Sequence, residues 1–303
     1  MVSVPDLKPM PRDARTLSPQ ELKIQRAQRR GAIIRYLILS AFGLLMLYPL
    51  IWLVGASFKT NEEIFSSAAF WPKEPTIQGY IDGWQTSTPY TFARFFMNSL
   101  YIVIPKMLGT AFSSVIVAYG FARFEFPGKK ILFGILIATL LLPDVVTRIP
   151  QYLLFRELGW LDTYLPLVVP QWFALEAFFV FMLIQFMRSI PRDMEEAARV
   201  DGANTFQVLW YVVVPMLMPA IISVCLFQFM WTMNDFLGPL IYISSVENYP
   251  VSLALKLSID TTEAFNWNQI LAMTVLALAP SLAVFFIAQK YFIEGISTGG
   301  VKG

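Results

Sequence analysis

The sequence contains no histidine and only one cysteine, Cys225, which lies in an apolar stretch. Without histidine, the chain cannot build a Ser-His-Asp or Cys-His catalytic arrangement or a histidine-ligated metal site. A single cysteine excludes an intramolecular disulfide framework and a cysteine-based zinc site. We therefore predict that this chain has no catalytic residue, binds no metal and holds no cofactor.

Charged residues are also scarce, at 15% of the 303 residues, and the net charge is only +2. No long basic run is interleaved with aromatic residues, so nothing in the chain predicts a nucleic-acid partner. A G-x-x-x-x-G-K-[ST] phosphate loop is missing, which excludes ATP hydrolysis by that route. Residues 295–299 match the G-x-S-x-G nucleophile pattern. Because no histidine can activate the serine, we interpret this match as chance.

Apolar residues, by contrast, make up 56% of the chain, and the mean hydropathy is +0.56, too high for an ordinary soluble domain. A helix of roughly 20 apolar residues crosses the hydrocarbon core, and the alternating pattern of a membrane barrel is missing. The sequence therefore predicts an all-α membrane protein with a transmembrane domain (32–293) between two tails (1–31 and 294–303). Its six spans are predicted near residues 36–58, 98–122, 131–148, 163–187, 211–237 and 267–289.

The distribution of Lys and Arg predicts the orientation of these spans. Basic residues concentrate in the N-terminal tail, the 123–130 loop and the 188–199 region. Because basic loops stay in the cytoplasm, we predict a multi-pass membrane protein with both termini cytoplasmic. Two long loops, 59–97 and 238–266, then lie outside. Loops of this size usually bind partners, and short helices lying in the membrane interface are the alternative.

The most polar part of the second half of the chain is residues 189–215, which read SIPRDMEEAARVDGANTFQVLWYVVVP. We name this segment the 189–215 loop. Good helix formers after a proline predict a helix over 191–201, which Gly202 ends. Asn204 or Thr205 can cap a second helix that packs back on the bundle. Taken alone, the first helix is either a solvated connector or a helix that enters a groove on a partner.

The spacing of Glu196-Ala197-Ala198, Gly202 and Pro215 resembles the EAA loop of binding-protein-dependent ABC importer permeases. Valines replace the isoleucine and leucine of that pattern before the proline. Residues 142–163, 231–240 and the tail 289–303 extend the resemblance to maltose-type carbohydrate permeases, in particular the second of the two permeases. The resemblance implies the helix bundle of a type I ABC importer. The chain would form half of an alternating-access path for sugars or oligosaccharides. These could be neutral or acidic, as alginate is.

The resemblance also implies a bacterial or archaeal inner membrane as the location, as well as partners and their contacts. The partners are a second permease in a heterodimer, two ATPase subunits that bind ATP and Mg, and an external sugar-binding protein whose cleft receives residues 244–263. The tail residues Gly299, Gly300, Val301, Lys302 and Gly303 would reach between the ATPase subunits. Contact with the ATPase would involve Glu195, Glu196, Ala197, Ala198, Asp201, Gly202 and Pro215.

Polar residues within the spans are candidates for the translocation path, because buried charges in membranes are usually functional. These candidates are Glu176, Gln228, Trp231, Asn234 and Asp235. For the last three, an interfacial belt is the alternative. Lys106 can either pair with Glu176 or contact the substrate. The rival interpretations are a secondary transporter, which usually has an internal repeat that this chain lacks, and a membrane-integral enzyme.

Overall fold

The computed structural model describes residues 19–86, 89–260 and 266–300, with side-chain surroundings from residue 28 to 289 apart from residues 87, 88, 144 and 260–265. The chain divides into two compact units, Met1–Leu53 and Val54–Gly303. The described residues form fourteen α-helices and no β-strand. The helices are α1 Pro19–Ala56, α2 Asn61–Ser66, α3 Gln78–Gln85, α4 Phe92–Arg123, α5 Lys129–Leu140, α6 Asp144–Glu157, α7 Leu165–Val168, α8 Ala177–Ser189, α9 Asp193–Val200, α10 Thr205–Val208, α11 Val214–Met233, α12 Leu237–Tyr242, α13 Val251–Asp260 and α14 Trp267–Gly300.

The predicted all-α membrane class is confirmed. Five helical stretches are long and apolar enough to cross a membrane, and a bent pair makes a sixth if it counts as one span. In the first unit, the apolar side chains of α1 between residues 33 and 51 are exposed, as suits a helix surrounded by lipid or by other membrane helices. The five stretches are Gln28–Ala56, Phe92–Arg123, Leu165–Ser189, Thr205–Met233 and Trp267–Gln289.

The window predicted as the third span, 131–148, is not one straight helix. Helix α5 ends at Leu140, and the chain turns by 102° before it continues as α6. Pro143 explains the break, because it lacks an N–H to donate and keeps the residue before it out of the helical region. The span was predicted from the apolar content of the window 131–148, and such an average does not reveal a bend within it.

A second break interrupts the span that contains Glu176. Helix α7 continues as a 3₁₀ turn, Val169–Phe173, and Ala174 then adopts the left-handed conformation with φ 54°. Helix α8 starts at Ala177 and runs to the beginning of the 189–215 loop. The span predicted over 163–187 is therefore two helical pieces with an irregular joint at residues 174–176.

Helix α4 forms the centre of the second unit, because α8 and α11 both pack along it. The largest core cluster lies between these three helices and includes Val115, Ala118, Phe179, Leu183, Ile184, Leu217 and Val224. A second cluster joins the N-terminal end of α4 to α13 and α14 through Phe92, Phe95, Val251 and Met273. Both long loops thus contain short helices: α2 and α3 in 59–97, and α12 and α13 in 238–266.

Candidate functional site

The first helix of the 189–215 loop is present as α9, Asp193–Val200. It ends in a Schellman turn, in which the N–H of Ala203 bonds the carbonyl of Ala198 at 2.9 Å and the N–H of Gly202 bonds that of Arg199 at 3.1 Å. Gly202 has φ 90°, a conformation that glycine adopts without steric cost. The predicted stop at Gly202 is therefore confirmed by the backbone.

The second helix of the loop begins with a capping box. The Asn204 side chain accepts from the backbone N–H of Gln207 at 2.9 Å, and the Gln207 side chain accepts from that of Asn204 at 2.8 Å. Helix α10 passes through a π-helical turn, Leu209–Val213, into α11. Because Val208, Leu209 and Val213 are buried, this half of the loop packs back on the bundle as predicted.

Helix α9 has one buried residue, Glu195. The Glu195 carboxylate lies 2.5 Å from Nε of Arg123, the last residue of α4. The sequence resemblance assigns Glu195 to the ATPase contact, but the structure turns its side chain into its own chain. A contact on the outer surface of α9 must therefore use other residues.

The outer surface of α9 combines acidic and apolar side chains. Glu196 and Ala197 are exposed, and Ala198 is half-buried against the core. Val200 is 88% exposed and Met194 52% exposed. Asp201 is exposed at the end of the helix, and Pro215 is exposed at the start of α11. We name Met194, Glu196, Ala197 and Val200 the α9 surface.

A central cavity of about 890 Å³ lies beside α4, and the two helix breaks border it. Four of the five predicted path residues line it: Glu176, Gln228, Trp231 and Asp235. Asn234 does not, because its side chain is exposed and donates to the carbonyl of Met230 at 2.7 Å. The structure thus brings together most of the predicted path but not all of it.

Several polar side chains of the cavity already bond within this chain. Glu176 accepts from Nε2 of Gln171 at 3.3 Å, and Asp235 accepts from the backbone N–H of Gly238 at 3.0 Å. Nε2 of Gln228 donates to Oγ1 of Thr232 at 3.0 Å, whereas its Oε1 is buried without a hydrogen-bond partner in the described part of the chain. Oε1 of Gln228 is therefore a buried acceptor at the cavity wall, and it has no partner among the described residues.

Lys106 lines the same cavity and is the residue whose role the sequence left open. Its side chain is buried, with 9% of the residue exposed. Within the described ranges, it makes neither a hydrogen bond nor an ion pair, and the alternative pairing with Glu176 is not formed. The Lys106 ammonium group is therefore available to a molecule in the cavity.

Aromatic side chains line part of the cavity, among them Phe155, Trp231 and Tyr242. Phe179 and Phe178, which are not among the lining residues, pack against the indole of Trp231 at 5.0 Å and 5.4 Å between ring centroids. An aromatic lining stacks against apolar ring faces, while the polar groups of the cavity can bond hydroxyl groups. The arrangement can bind a polar ring-containing solute.

Comparison with known proteins identifies the family. A family described as "Binding-protein-dependent transport system inner membrane component" matches residues 112–298, which include the 189–215 loop and the cavity-lining residues apart from Lys106. The chain belongs to this family. This confirms the family that the sequence resemblance indicated, and it makes the chain a transport permease of the inner membrane and not a catalytic subunit.

The permease is similar to proteins from several bacteria. It is 29% identical over 256 residues to "Probable ABC transporter permease protein YurM" of Bacillus subtilis, with 84% of each chain covered. It is 27% identical over 275 residues to "Diacetylchitobiose uptake system permease protein NgcG" of Streptomyces coelicolor, with 90% of each covered. A crystal structure of a bacterial ABC transporter involved in the import of the acidic polysaccharide alginate shares the fold, with a TM-score of 0.77 and 24% identity over 88% of this chain and 98% of that chain.

At the N-terminal end of α4, Asp162 fastens two loops of the permease together. Its carboxylate accepts from the backbone N–H groups of Ser244 at 2.9 Å and Ser245 at 2.8 Å and from the Ser245 hydroxyl. Its own N–H donates to the carbonyl of Tyr242 at 2.8 Å. We name this set the Asp162 clasp. Sequence reasoning missed it, although Asp162 lies in the 142–163 stretch that carries part of the resemblance.

The clasp also sets the ionisation of Asp162. The Ser245 hydroxyl, the Ser245 N–H and the Ser244 N–H stabilise the charged form and lower the pKa of Asp162 below its ordinary value of 3.8. Because the pKa is lower in the folded state, the ionised Asp162 carboxylate stabilises the clasp fully at every pH above the ordinary aspartate pKa. That contribution is lost as the pH falls through the lowered pKa.

We therefore expect Asp162→Ala to free residues 243–249. Hydrogen exchange of the Ser244 and Ser245 amides should become faster, because both lose their acceptor. Asp82→Ala is the matched control, since among the described residues the Asp82 carboxylate accepts only from the exposed Gln78 side chain, at 2.6 Å. In the unaltered permease, protection should persist from neutral pH down to the ordinary aspartate pKa. Equal exchange in both variants would contradict the clasp.

The predicted ATPase-contacting tail falls mostly outside the described residues. The backbones of Gly299 and Gly300 belong to the end of α14. Val301, Lys302 and Gly303 lie beyond the described residues, as do residues 261–263 of the segment predicted to enter the binding protein. Both roles stay predictions.

Proposed function

We propose that this permease is a membrane subunit of an ATP-driven saccharide importer and that it takes up work from an ATPase through the α9 surface. The observation that carries the proposal is α9 itself. The apolar side chains of Val200 and Met194 are exposed on the same helix as Glu196, and a partner that covers this surface would bury them. The Schellman turn at Gly202 fixes its position.

The partner on the α9 surface is an ATPase subunit. The permease has no phosphate loop of its own, so the energy for import must come from another chain. Lys and Arg residues around the 189–215 loop favour a cytoplasmic position for α9, where ATP is available. Two ATPase subunits with bound Mg-ATP, a second permease and an external binding protein complete the assembly.

The transported solute is a saccharide. The related permease from Streptomyces is named for diacetylchitobiose uptake, and the transporter of the similar crystal structure is involved in alginate import. The cavity suits such a solute, because Trp231 can stack on a sugar ring while Lys106, Gln228 and Glu176 bond its hydroxyl or carboxyl groups.

Alternating access would use the two helix breaks. Leu142 lies at the joint of α5 and α6, and Ala174 lies at the joint before α8; both line the cavity. A broken helix can change its angle at a joint without unwinding its packed pieces. Small rotations at these joints would open the cavity first to one side and then to the other.

The test changes the α9 surface and leaves the bundle intact. We expect the double variant Glu196→Arg and Val200→Asp to lose co-purification of the ATPase subunits and ATP-dependent uptake, because it reverses a charge and adds one to an apolar contact. The permease itself should stay in the membrane, since both side chains are exposed.

Glu125→Arg provides the control, because the Glu125 side chain is 86% exposed in the neighbouring 123–130 loop. It should retain both ATPase binding and uptake. Full ATPase binding by the double variant would contradict the proposal. Uptake by the unaltered permease that continues without ATP on a proton gradient would favour the rival secondary transporter.

A further inference from the structure

The Arg123–Glu195 ion pair joins three segments at the C-terminal end of α4. Both side chains are buried, 4% and 3% exposed, with Nε and Oε1 2.5 Å apart. Nη2 of Arg123 also donates to the carbonyl of Ile190 at 3.1 Å, at the end of α8. One guanidinium group thus fastens α9 and the end of α8 to α4.

Burying two charges is a poor way to stabilise a fold. Desolvation costs several kcal/mol per ion, so apolar residues of similar size often hold such a site equally well. What this ion pair adds is a specific attachment between Arg123 and Glu195, which lie at ion-pair distance although Nε and Oε1 do not meet hydrogen-bond geometry. The pair at Arg123 therefore fixes the position of α9 on α4 more than it strengthens the core.

Helix α9 depends on this pair because the rest of the helix is at least partly exposed. Glu195 is the one buried residue of α9. Arg199 lies 3.9 Å from Glu195 on the other side, and Arg192, which precedes the helix, donates to the carbonyl of Ala122 at 3.4 Å. Polar contacts with the end of α4 therefore attach α9 to the bundle, together with the packing of Ala198 against the core.

Helix α4 carries this connection to the cavity. Lys106, Val117 and Phe121 of α4 line the cavity, and α4 is packed along its length against α8 and α11. A displacement of α9 that reaches Arg123 is therefore passed to the cavity wall by one continuous helix.

We infer that the Arg123–Glu195 ion pair transmits the movement of α9 to α4, so that Arg123 and Glu195 are positioning residues that couple ATP hydrolysis to opening of the cavity. The inference rests on the proposed function of the α9 surface. It predicts that the pair matters for coupling even in a variant that folds and binds the ATPase normally.

The decisive variant replaces both partners, Arg123→Met with Glu195→Met, in the complete reconstituted complex in proteoliposomes. Removing both charges together leaves no buried unpaired ion, because Arg199, which also lies near Glu195, is 47% exposed to solvent. The complex should therefore assemble, with a small loss of thermal stability from the Ile190 carbonyl that loses its donor. Solute uptake per ATP hydrolysed should fall at least about fivefold, the lower end of usual coupling effects. Lys129→Met with Glu125→Met removes an exposed ion pair of 2.8 Å at the same end of the bundle and should couple normally.

Normal uptake per ATP in the Arg123→Met, Glu195→Met variant would overturn the inference. If this variant fails to assemble, Glu195→Asp decides, because it retains the charge but shortens the side chain by one carbon. It should assemble and couple poorly, and normal coupling would again overturn the inference. Failure of the unaltered permease to bind ATPase subunits would instead overturn the proposed function.

Discussion

Replacing Gly202 with valine is expected to abolish ATPase binding while the permease remains in the membrane. At φ 90°, a side chain strains the backbone by roughly 1–2 kcal/mol, and β-branching adds to this. No atom lies within 4 Å of the position a Cβ would take, so the strain is conformational and not steric crowding. The Schellman turn should open and release the end of α9. Co-purification of ATPase subunits and ATP-dependent uptake measure the result.

Two further variants test whether the effect depends on where the backbone strain lies and on whether the residue at 202 tolerates a positive φ. Gly128 also has a positive φ, 81°, and open space around it, but it precedes α5 in the 123–130 loop. Gly128→Val should therefore carry similar strain and retain ATPase binding. Gly202→Asn should bind nearly as well as the unaltered permease, because asparagine tolerates the left-handed region. Loss of ATPase binding in Gly128→Val would show that backbone strain anywhere at this end of the bundle prevents binding, which would contradict a specific role for the turn at Gly202.

The 189–215 loop was predictable from sequence because its signals are local. The signals are a run of helix-forming residues, a glycine that ends the helix and the Asn204 cap. Each acts within a few residues, and the structure contains all three features. The direction of Glu195 was not predictable in this way. Consecutive residues on a helix point about 100° apart, so either Glu195 or Glu196 could face inward. Only the position of Arg123, 72 residues earlier in the chain, decides between them.

The path residues show the same division between local and distant signals. Gln228 and Trp231 are spaced i and i+3 on α11, which places them on one side of the helix, and both line the cavity. Asn234 and Asp235 follow the end of α11, so helical periodicity could not predict that Asp235 lines the cavity and Asn234 does not. Whether Lys106 pairs with Glu176 depends on how α4 and the broken span meet. No window of the sequence contains that geometry.

Replacing Lys106 with methionine is the second variant with a large expected effect. The Lys106 side chain is buried beside the cavity, and in the described part of the chain its ammonium group has neither a hydrogen bond nor an ion pair. Methionine has a similar length, so the permease should be at least as stable as before. Saccharide uptake should fall about tenfold or more, because one hydrogen bond to a charged group contributes about 1.5–3 kcal/mol.

Lys59 is the matched control, because it is also buried but fully bonded. It is 0% exposed, and its ammonium group donates to the carbonyls of Ser67 at 2.9 Å and Ala69 at 2.7 Å. Lys59→Met leaves two acceptors without a donor, so the purified complex should melt at a lower temperature by the equivalent of about 2 kcal/mol or more. Lys106→Met should show the opposite pattern, with normal melting, normal binding of the second permease and poor uptake. If Lys106→Met instead lowers the melting temperature or releases the second permease, the lysine bonds a protein group at that interface and not the solute.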